Sequence, residues 1–264
     1  MLGLNVEKPP VSVIIPTFNS GRSVVRCVDS ILAQSYEHIE VIIVDNNSTD
    51  DSLHDLAASP VRIVAWPSKR AEARNRGAGL AEGQFLFHVD ADMELTPRVV
   101  EECVDCCFQQ SADAVIVPEV SSGRGYWAQC VGLQKTIVEG VAGYEAARFY
   151  RRNSFEKIGG YDPGLEAGED FDLHYRTEDH GLKVGRIKSA IMHHQEDASF
   201  SDIVHKFQYY GRTVNNYRKK QRDRLSRNPP FLSLLARRWQ VLAMDPPHAV
   251  GFVALLLIEY VAQR

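Results

Sequence analysis

Apolar and polar positions follow a regular rhythm over the first 120 residues. Five short runs, VSVIIPT (11–17), IEVIIVD (39–45), VRIVAW (61–66), QFLFHVD (84–90) and ADAVIVPEV (112–120), are nearly continuous in β-branched, aliphatic or aromatic residues. Strands buried on both faces of a sheet have this character. Between them lie segments with helical spacing. In SGRSVVRCVDSILAQS (20–35), Val24, Val25, Val28, Ile31 and Leu32 share one face. STDDSLHDLAAS (48–59) predicts a helix capped by Ser48 or Thr49 with an acid three residues on. KRAEARNRGAGLAEG predicts a helix ended by Gly83, and RVVEECVDCCFQQ another. Apolar strands joined by crossover helices imply a parallel sheet covered on both faces.

Beyond Val120 the alternation weakens. A helix is expected in YWAQCVGLQKTIVEGVAG, then Gly-rich turns and short elements, then a last strand, KVGRIKSAIMHH (183–194), before a helical tail. The organisation expected is a nucleotide-binding half (1–120), a half that completes the site (121–200) and a basic tail (201–264). The 264 residues can bury a full core, and 44% hydrophobic with 24% charged residues is an ordinary globular composition.

The net charge of −4 points to no partner, but its distribution is uneven: Lys206 to Arg238 holds ten basic residues against Asp223 alone. No nucleic-acid motif accompanies this stretch, and nucleic acid is not an expected partner. The apolar run AVGFVALLLI (249–258) is too short to span a bilayer, which needs roughly 20 residues; beside a basic segment it suits contact with anionic lipid, while a solvated helix is the plainer alternative. The five cysteines fit no disulfide or zinc spacing. Cys103, Cys106 and Cys107 fall on a core-facing helix side, and reduced thiols suit a cytoplasmic protein. The N-terminus shows no leader pattern, so a cytoplasmic location, peripheral to a membrane at most, is expected.

Three polar clusters stand at the carboxyl ends of predicted strands, where open parallel sheets bind ligands: PTFN (16–19), VDNNSTD (44–50) and VDAD (89–92). In extended backbone Asp90 and Asp92 project the same way. Two such carboxylates repel unless a cation joins them, and hard oxygen ligands suit Mg²⁺ or Mn²⁺ held together with a diphosphate. Two turn-forming acids before a helix are the alternative; the meeting of three clusters on one rim favours the metal.

These segments, with RNRGAGLAEGQFLFHVDAD and GGYDPGLEAGEDFDLHYR, resemble the family 2 glycosyltransferases over roughly residues 10–195. The resemblance implies a GT-A fold, a Rossmann-like, mostly parallel sheet flanked by helices. It also implies a metal-dependent, inverting transfer from a nucleotide-sugar, UDP-linked before GDP-linked, to a saccharide or lipid-linked acceptor. By the same resemblance, Pro16, Thr17, Asn19, Asp45, Arg74 and Asn75 meet the nucleotide-sugar, Asp90 the ribose and sugar, and Asp92, with Asp90, the Mn²⁺ or Mg²⁺. Glu169 and Asp170 match the "ED" pair, with Asp170 the base that deprotonates the acceptor. His193 or His194 completes the metal or diphosphate shell, and Lys206 and Arg212 reach toward the diphosphate. No QxxRW follows the "ED" pair; RRWQ (237–240) has similar letters in another order, so a single transfer is expected rather than polymerisation. A polyprenyl-phosphate glycosyltransferase is the nearest alternative. A nucleotidyltransferase would carry a richer Gly and Lys/Arg loop than PTFNSGRS, and a non-catalytic sugar-nucleotide module would not need GEDFD.

Overall fold

The structure is a computed structural model that describes residues 8–123, 125–194 and 199–262. The first seven residues, on which the leader expectation rests, lie outside that set. Seven strands form the main sheet: β1 (Val11–Thr17), β2 (Ile39–Asp45), β3 (Arg62–Ala65), β4 (Phe85–His88), β6 (Ala114–Ile116), β8 (Ala147–Arg151) and β9 (Val184–Arg186). Their order is β3-β2-β1-β4-β8-β6-β9, and all pair in parallel except β8, which runs antiparallel to both neighbours. Three further strands, β5 (Met93–Leu95), β10 (Ile191–His194) and β7 (Glu119–Ser122), form a small second sheet.

The period of two along each strand divides the core. Val13, Ile15, Val41, Ile43, Phe85 and Phe87 pack on one side with α1 (Arg22–Leu32) and α3 (Val99–Gln109). Ile14, Ile42, Val44 and Leu86 face α2 (Arg70–Leu80), α5 (Arg152–Lys157) and α6 (Glu169–Asp179) on the other. Cys27, Cys103, Cys106 and Cys107 belong to the first of these cores as buried free thiols.

Three expected elements came out differently. Residues 48–59 form a 3₁₀ turn at Asp51–Leu53 followed by turns, because the Asp50 side chain accepts from the Ser52 amide and Ser48 is drawn away to Asp45. Local side-chain to backbone bonds of this kind compete with helix. The strand expected at 112–120 breaks at Pro118, which has no N–H to give a ladder, so β6 and β7 enter different sheets. The strand expected at 183–194 likewise divides into β9 and β10. These two breaks build the small sheet at the carboxyl edge of β1 and β4.

The C-terminal segment packs on the sheet domain. Helices α4 (Tyr126–Val138), α7 (Phe200–Lys220), α9 (Phe231–Arg237) and α11 (Pro246–Ala262) share a third core around Cys130, Ile137, Ile203, Leu234, Phe252 and Leu255. The short α8 (Arg222–Leu225) and α10 (Trp239–Met244) connect them. Much of the basic cluster is used internally. Lys220 pairs with Asp162 and Asp172, Arg224 with Glu178, and Arg238 donates to the carbonyls of Thr136 and Glu139. Among the described residues, no helix is long and apolar enough to cross a membrane.

Helix α2 lies close against β1 because Gly77 has no side chain: a Cβ there would run into Ile14. Gly79, two residues on, faces open space. Gly77→Ala should therefore destabilise the chain by about 1–3 kcal/mol through overpacking, whereas Gly79→Ala should stabilise it by about 0.5–1 kcal/mol as a helix interior gains alanine. Urea unfolding of both variants checks this; equal effects would contradict the close approach of α2.

Candidate active site

The loops after β1 and β2 fix one another by side-chain caps. Asn19, in the left-handed region at φ 46°, accepts from the Thr49 amide at 2.8 Å. The buried Asp45 accepts from the Ser48 amide (3.0 Å) and hydroxyl (2.5 Å). Together these loops wall a cavity of about 510 Å³ with the segment after β4 and the start of α7.

Between β4 and β5 the chain turns, with the Met93 amide donating to the Asp90 carbonyl, so the expected extended geometry of Asp90 and Asp92 does not occur. The two side chains part. Asp90 turns inward: Oδ1 accepts from Arg74 Nη2 at 2.5 Å and Oδ2 from Arg148 Nη1 at 3.2 Å. Arg74 is 1% exposed, stacks 5.0 Å from the Tyr161 ring and also donates to Glu169 at 3.0 Å. Arg148 donates to Glu119 Oε1 through Nε (2.7 Å) and Nη2 (2.6 Å). Burial by itself would raise the Asp90 carboxyl; Arg74, Arg148 and Arg70 overcome it and hold the group far below the usual carboxylate range.

Asp92 turns outward and is half exposed, with Oδ2 2.9 Å from His193 Nε2. Lys135 donates to Glu119 Oε2 at 2.6 Å and to His193 Nδ1 at 3.1 Å. With Nδ1 accepting from Lys135, Nε2 carries a hydrogen and donates to Asp92. Burial opposes a charged His193 ring, but the bond to Asp92 and the nearby Glu119 carboxylate outweigh it and raise its pKa. Burial likewise works against the Glu119 carboxylate, and Arg148, His193 and Lys135 carry it well below its ordinary range.

Pro16, Thr17, Asn19, Asp90, Asp92, His193 and Lys206 line the cavity, as do Arg70, Tyr210 and Asn46. Arg74 and Asp45 stand behind its wall. Asn75 is occupied elsewhere, bonding the Tyr161 backbone at both its N–H (2.9 Å) and carbonyl (2.8 Å). Arg212 is exposed away from the lining, and His194 turns to Glu94 at 2.7 Å. The two adjacent histidines are thus separated, as alternation along β10 requires.

Glu169 and Asp170 open α6 after Gly168, whose φ of 75° glycine adopts freely. Glu169 is buried against Arg74, with Arg70 3.5 Å away; burial and the neighbouring Asp170 raise its pKa. Asp170 lines a second cavity of about 210 Å³ with Glu119, Lys135, Tyr144, Arg148 and Phe171. The Asp90–Arg148 ion pair stands between the two cavities, Asp90 facing one and Arg148 the other.

The pattern of charges missed Arg70, Lys135, Arg148, Glu119 and Tyr210. Only Arg70 left a trace, lying one turn before Arg74 on the same helix face. Glu119 sat inside an apolar strand pattern, and Arg148 reaches the site solely through the antiparallel placement of β8.

Known proteins share this fold. The family model described as Glycosyl transferase family 2 matches residues 12–159. Over 212 residues the chain is 36% identical to chondroitin synthase of Pasteurella multocida (strain Pm70), covering 75% of this chain and 21% of that protein. Over 113 residues it is 34% identical to Glycosyltransferase GlyG of Streptococcus pneumoniae, covering 40% and 38%; the chain spans a minor part of either relative. The mannosyltransferase PcManGT from Pyrobaculum calidifontis, solved in complex with GDP-Man and Mn²⁺, superimposes with a TM-score of 0.63 at 18% identity over 98% of this chain and 88% of that one. S. aureus TarS in complex with UDP-GlcNAc gives 0.57 at 17%, covering 78% and 67%. These likenesses are of fold.

Asp90 and Glu119 have folded-state values below their unfolded ones, so each adds stability that is whole above the ordinary carboxylate range and is lost as the pH falls below about 4. The urea midpoint should fall between pH 5 and pH 3. At pH 7, Arg148→Met should cost about 3–5 kcal/mol by leaving two buried carboxylates short of a partner; an unchanged midpoint would show that the pair carries no such weight.

Proposed function

This chain belongs to glycosyl transferase family 2 and has the GT-A fold, and on that basis we propose that it moves one sugar from a nucleotide-sugar, UDP-linked in the first instance, to a hydroxyl of a saccharide or lipid-linked saccharide, with inversion and with Mn²⁺ or Mg²⁺. The observation that carries the proposal is the pair of cavities divided by Asp90–Arg148, one bearing Asp92 and His193 and the other Asp170.

The donor set fits such an ion. A half-exposed carboxylate oxygen and an imidazole nitrogen face the larger cavity 2.9 Å apart, a hard oxygen and a nitrogen of the kind Mn²⁺ accepts. Among the described residues no three acidic, His or Cys groups gather into a metal cluster. Asp92 and His193 would therefore share the ion with diphosphate oxygens and water. Bound there, the metal supplies Lewis-acid neutralisation of the departing diphosphate. Glu119 Oε2 lies behind the ring, 3.7 Å from His193 Nδ1, where its charge would favour a hydrogen on that nitrogen were Nε2 to hold the ion.

Arg70, Lys206 and Tyr210 place two cations and a hydroxyl over the same cavity, suited to diphosphate oxygens. Asp90, fixed as an anion by two arginines, presents a fixed acceptor toward ribose or sugar hydroxyls. Across the dividing pair, Asp170 takes the proton of the acceptor hydroxyl as its oxygen attacks the anomeric carbon, and the diphosphate leaves from the opposite face. The smaller cavity is then the acceptor pocket.

In α11, Val250, Val253, Leu257 and Val261 are all exposed and recur at helical spacing on one face, opposite the buried Phe252 and Leu255. This stripe supports contact with a membrane surface.

A panel of UDP- and GDP-sugars with Mn²⁺ tests the reaction. Asp170→Asn should lower transfer by about 10²–10⁴-fold, the range for a general base, with nucleotide binding retained; Asp92→Ala should abolish the metal dependence of nucleotide binding. Turnover unchanged in both variants would contradict the assignment. For the membrane reading, the chain should co-sediment with anionic vesicles and a Val253→Glu, Leu257→Glu double variant should not; absence of co-sedimentation by the unaltered chain removes it.

A further inference from the structure

The smaller cavity carries an uneven charge. Glu119, Glu139, Glu145 and Asp170 all line it, and Asp90 stands directly behind its Arg148 wall. The cations facing it are Lys135 and Arg148, and both are already committed. Lys135 is held by Glu119 at 2.6 Å, and Arg148 spans Glu119 at 2.6 Å and Asp90 at 3.2 Å. Outside the lining, Arg186 serves Glu145 at 2.8 Å and Glu139 at 3.6 Å, one guanidinium for two carboxylates. Asp170 adds a further carboxylate, bonded through one oxygen to the Phe171 amide at 2.9 Å.

Four carboxylates thus line the space against three cations, each of which is already bound to a carboxylate, and Asp90 behind Arg148 is matched by Arg74. The remaining walls are apolar or aromatic: Val117, Val138, Tyr144 and Phe171. At about 210 Å³ the pocket is smaller than the usual range for drug-sized ligands. It is of a size for one sugar ring, whose C–H face would lie on an aromatic wall.

We infer that this pocket selects an acceptor whose terminal unit is a neutral or amine-bearing sugar, and rejects one that brings a carboxylate or phosphate to Asp170. The inference rests on reading this cavity as the acceptor pocket. An anionic acceptor would meet like charge on several sides and find no uncommitted cation to offset its desolvation, and such like-charge juxtapositions select against a ligand. A hydroxyl or ammonium group finds carboxylate acceptors instead. The same charge disfavours a bare lipid phosphate as acceptor.

Saturation-transfer NMR on the full chain, loaded with UDP and Mn²⁺, tests this with four probes: methyl glucoside, methyl glucosaminide, methyl glucuronide and citronellyl phosphate. The first two should bind at least about tenfold more tightly than the last two. Glu139→Lys, at the exposed rim, should narrow that gap by raising glucuronide affinity while leaving UDP binding as it was. Glucuronide or phosphate binding as strong as that of the neutral probe overturns the inference, and so does a failure of both favoured probes to bind. Acceptor-free release of UDP or GDP from the sugar-nucleotide panel is measured on the same preparation. If no nucleotide-sugar is bound or hydrolysed, the glycosyltransferase reading fails too; if donor chemistry is intact and the charge preference is absent, only the present inference falls.

Discussion

A buried chain of charge, from Glu169 through Arg74, Asp90 and Arg148 to Glu119, ties together five of the segments that meet between the two cavities. Its members come from α6, α2, the turn after β4, β8 and β7. None could be buried alone, because an isolated charge in the interior is far too costly. Each is tolerable because its neighbour in the chain is of opposite sign and hydrogen-bonded. The network therefore demands that both faces of the main sheet and the small sheet be assembled together.

This arrangement divides the work of the two aspartates. Asp90 is held from behind by two guanidiniums and is a fixed anion in the wall. Asp92, two residues further along, is left to the solvent side with His193. A rigid wall and a half-exposed arm are what the proposed reaction would use, the one to hold a diphosphate in register and the other to take up an ion. The tail strengthens the other wall. Tyr217 of α7 packs over Gly168, where a Cβ would collide with its ring, and so steadies the turn from which Glu169 and Asp170 start.

Much of the frame was legible in the residues. Continuous apolar strands with intervening amphipathic helices can be covered only on both faces, so the alternation over 11–120 specified a parallel sheet, and the polar residues at the strand ends marked its ligand edge. Asp92 stood out as an acid at the end of a predicted strand, and Asp170 through its match to the ED pair of the resembling family. The split of 112–120 could have been read from Pro118, which cannot complete a ladder. Asp45 and Asn75 carry internal bonds that no local pattern announced: a loop cap to Ser48 and a pair of bonds to the Tyr161 backbone.

The sequence by itself determined most of the elements, their faces and the edge where polar residues gather, because burial of apolar side chains depends on periodicities of 2 and 3.6 that are written along the chain. Tertiary structure alone decided which charges meet. Glu119, Lys135 and Arg148 are separated by 13 to 29 positions and lie on a strand, a helix and an antiparallel strand of different sheets. Coulomb attraction acts through space and leaves no periodic trace, so the pairing that fixes Asp90 and sets the charge of the smaller cavity exists only once the sheets have closed around it.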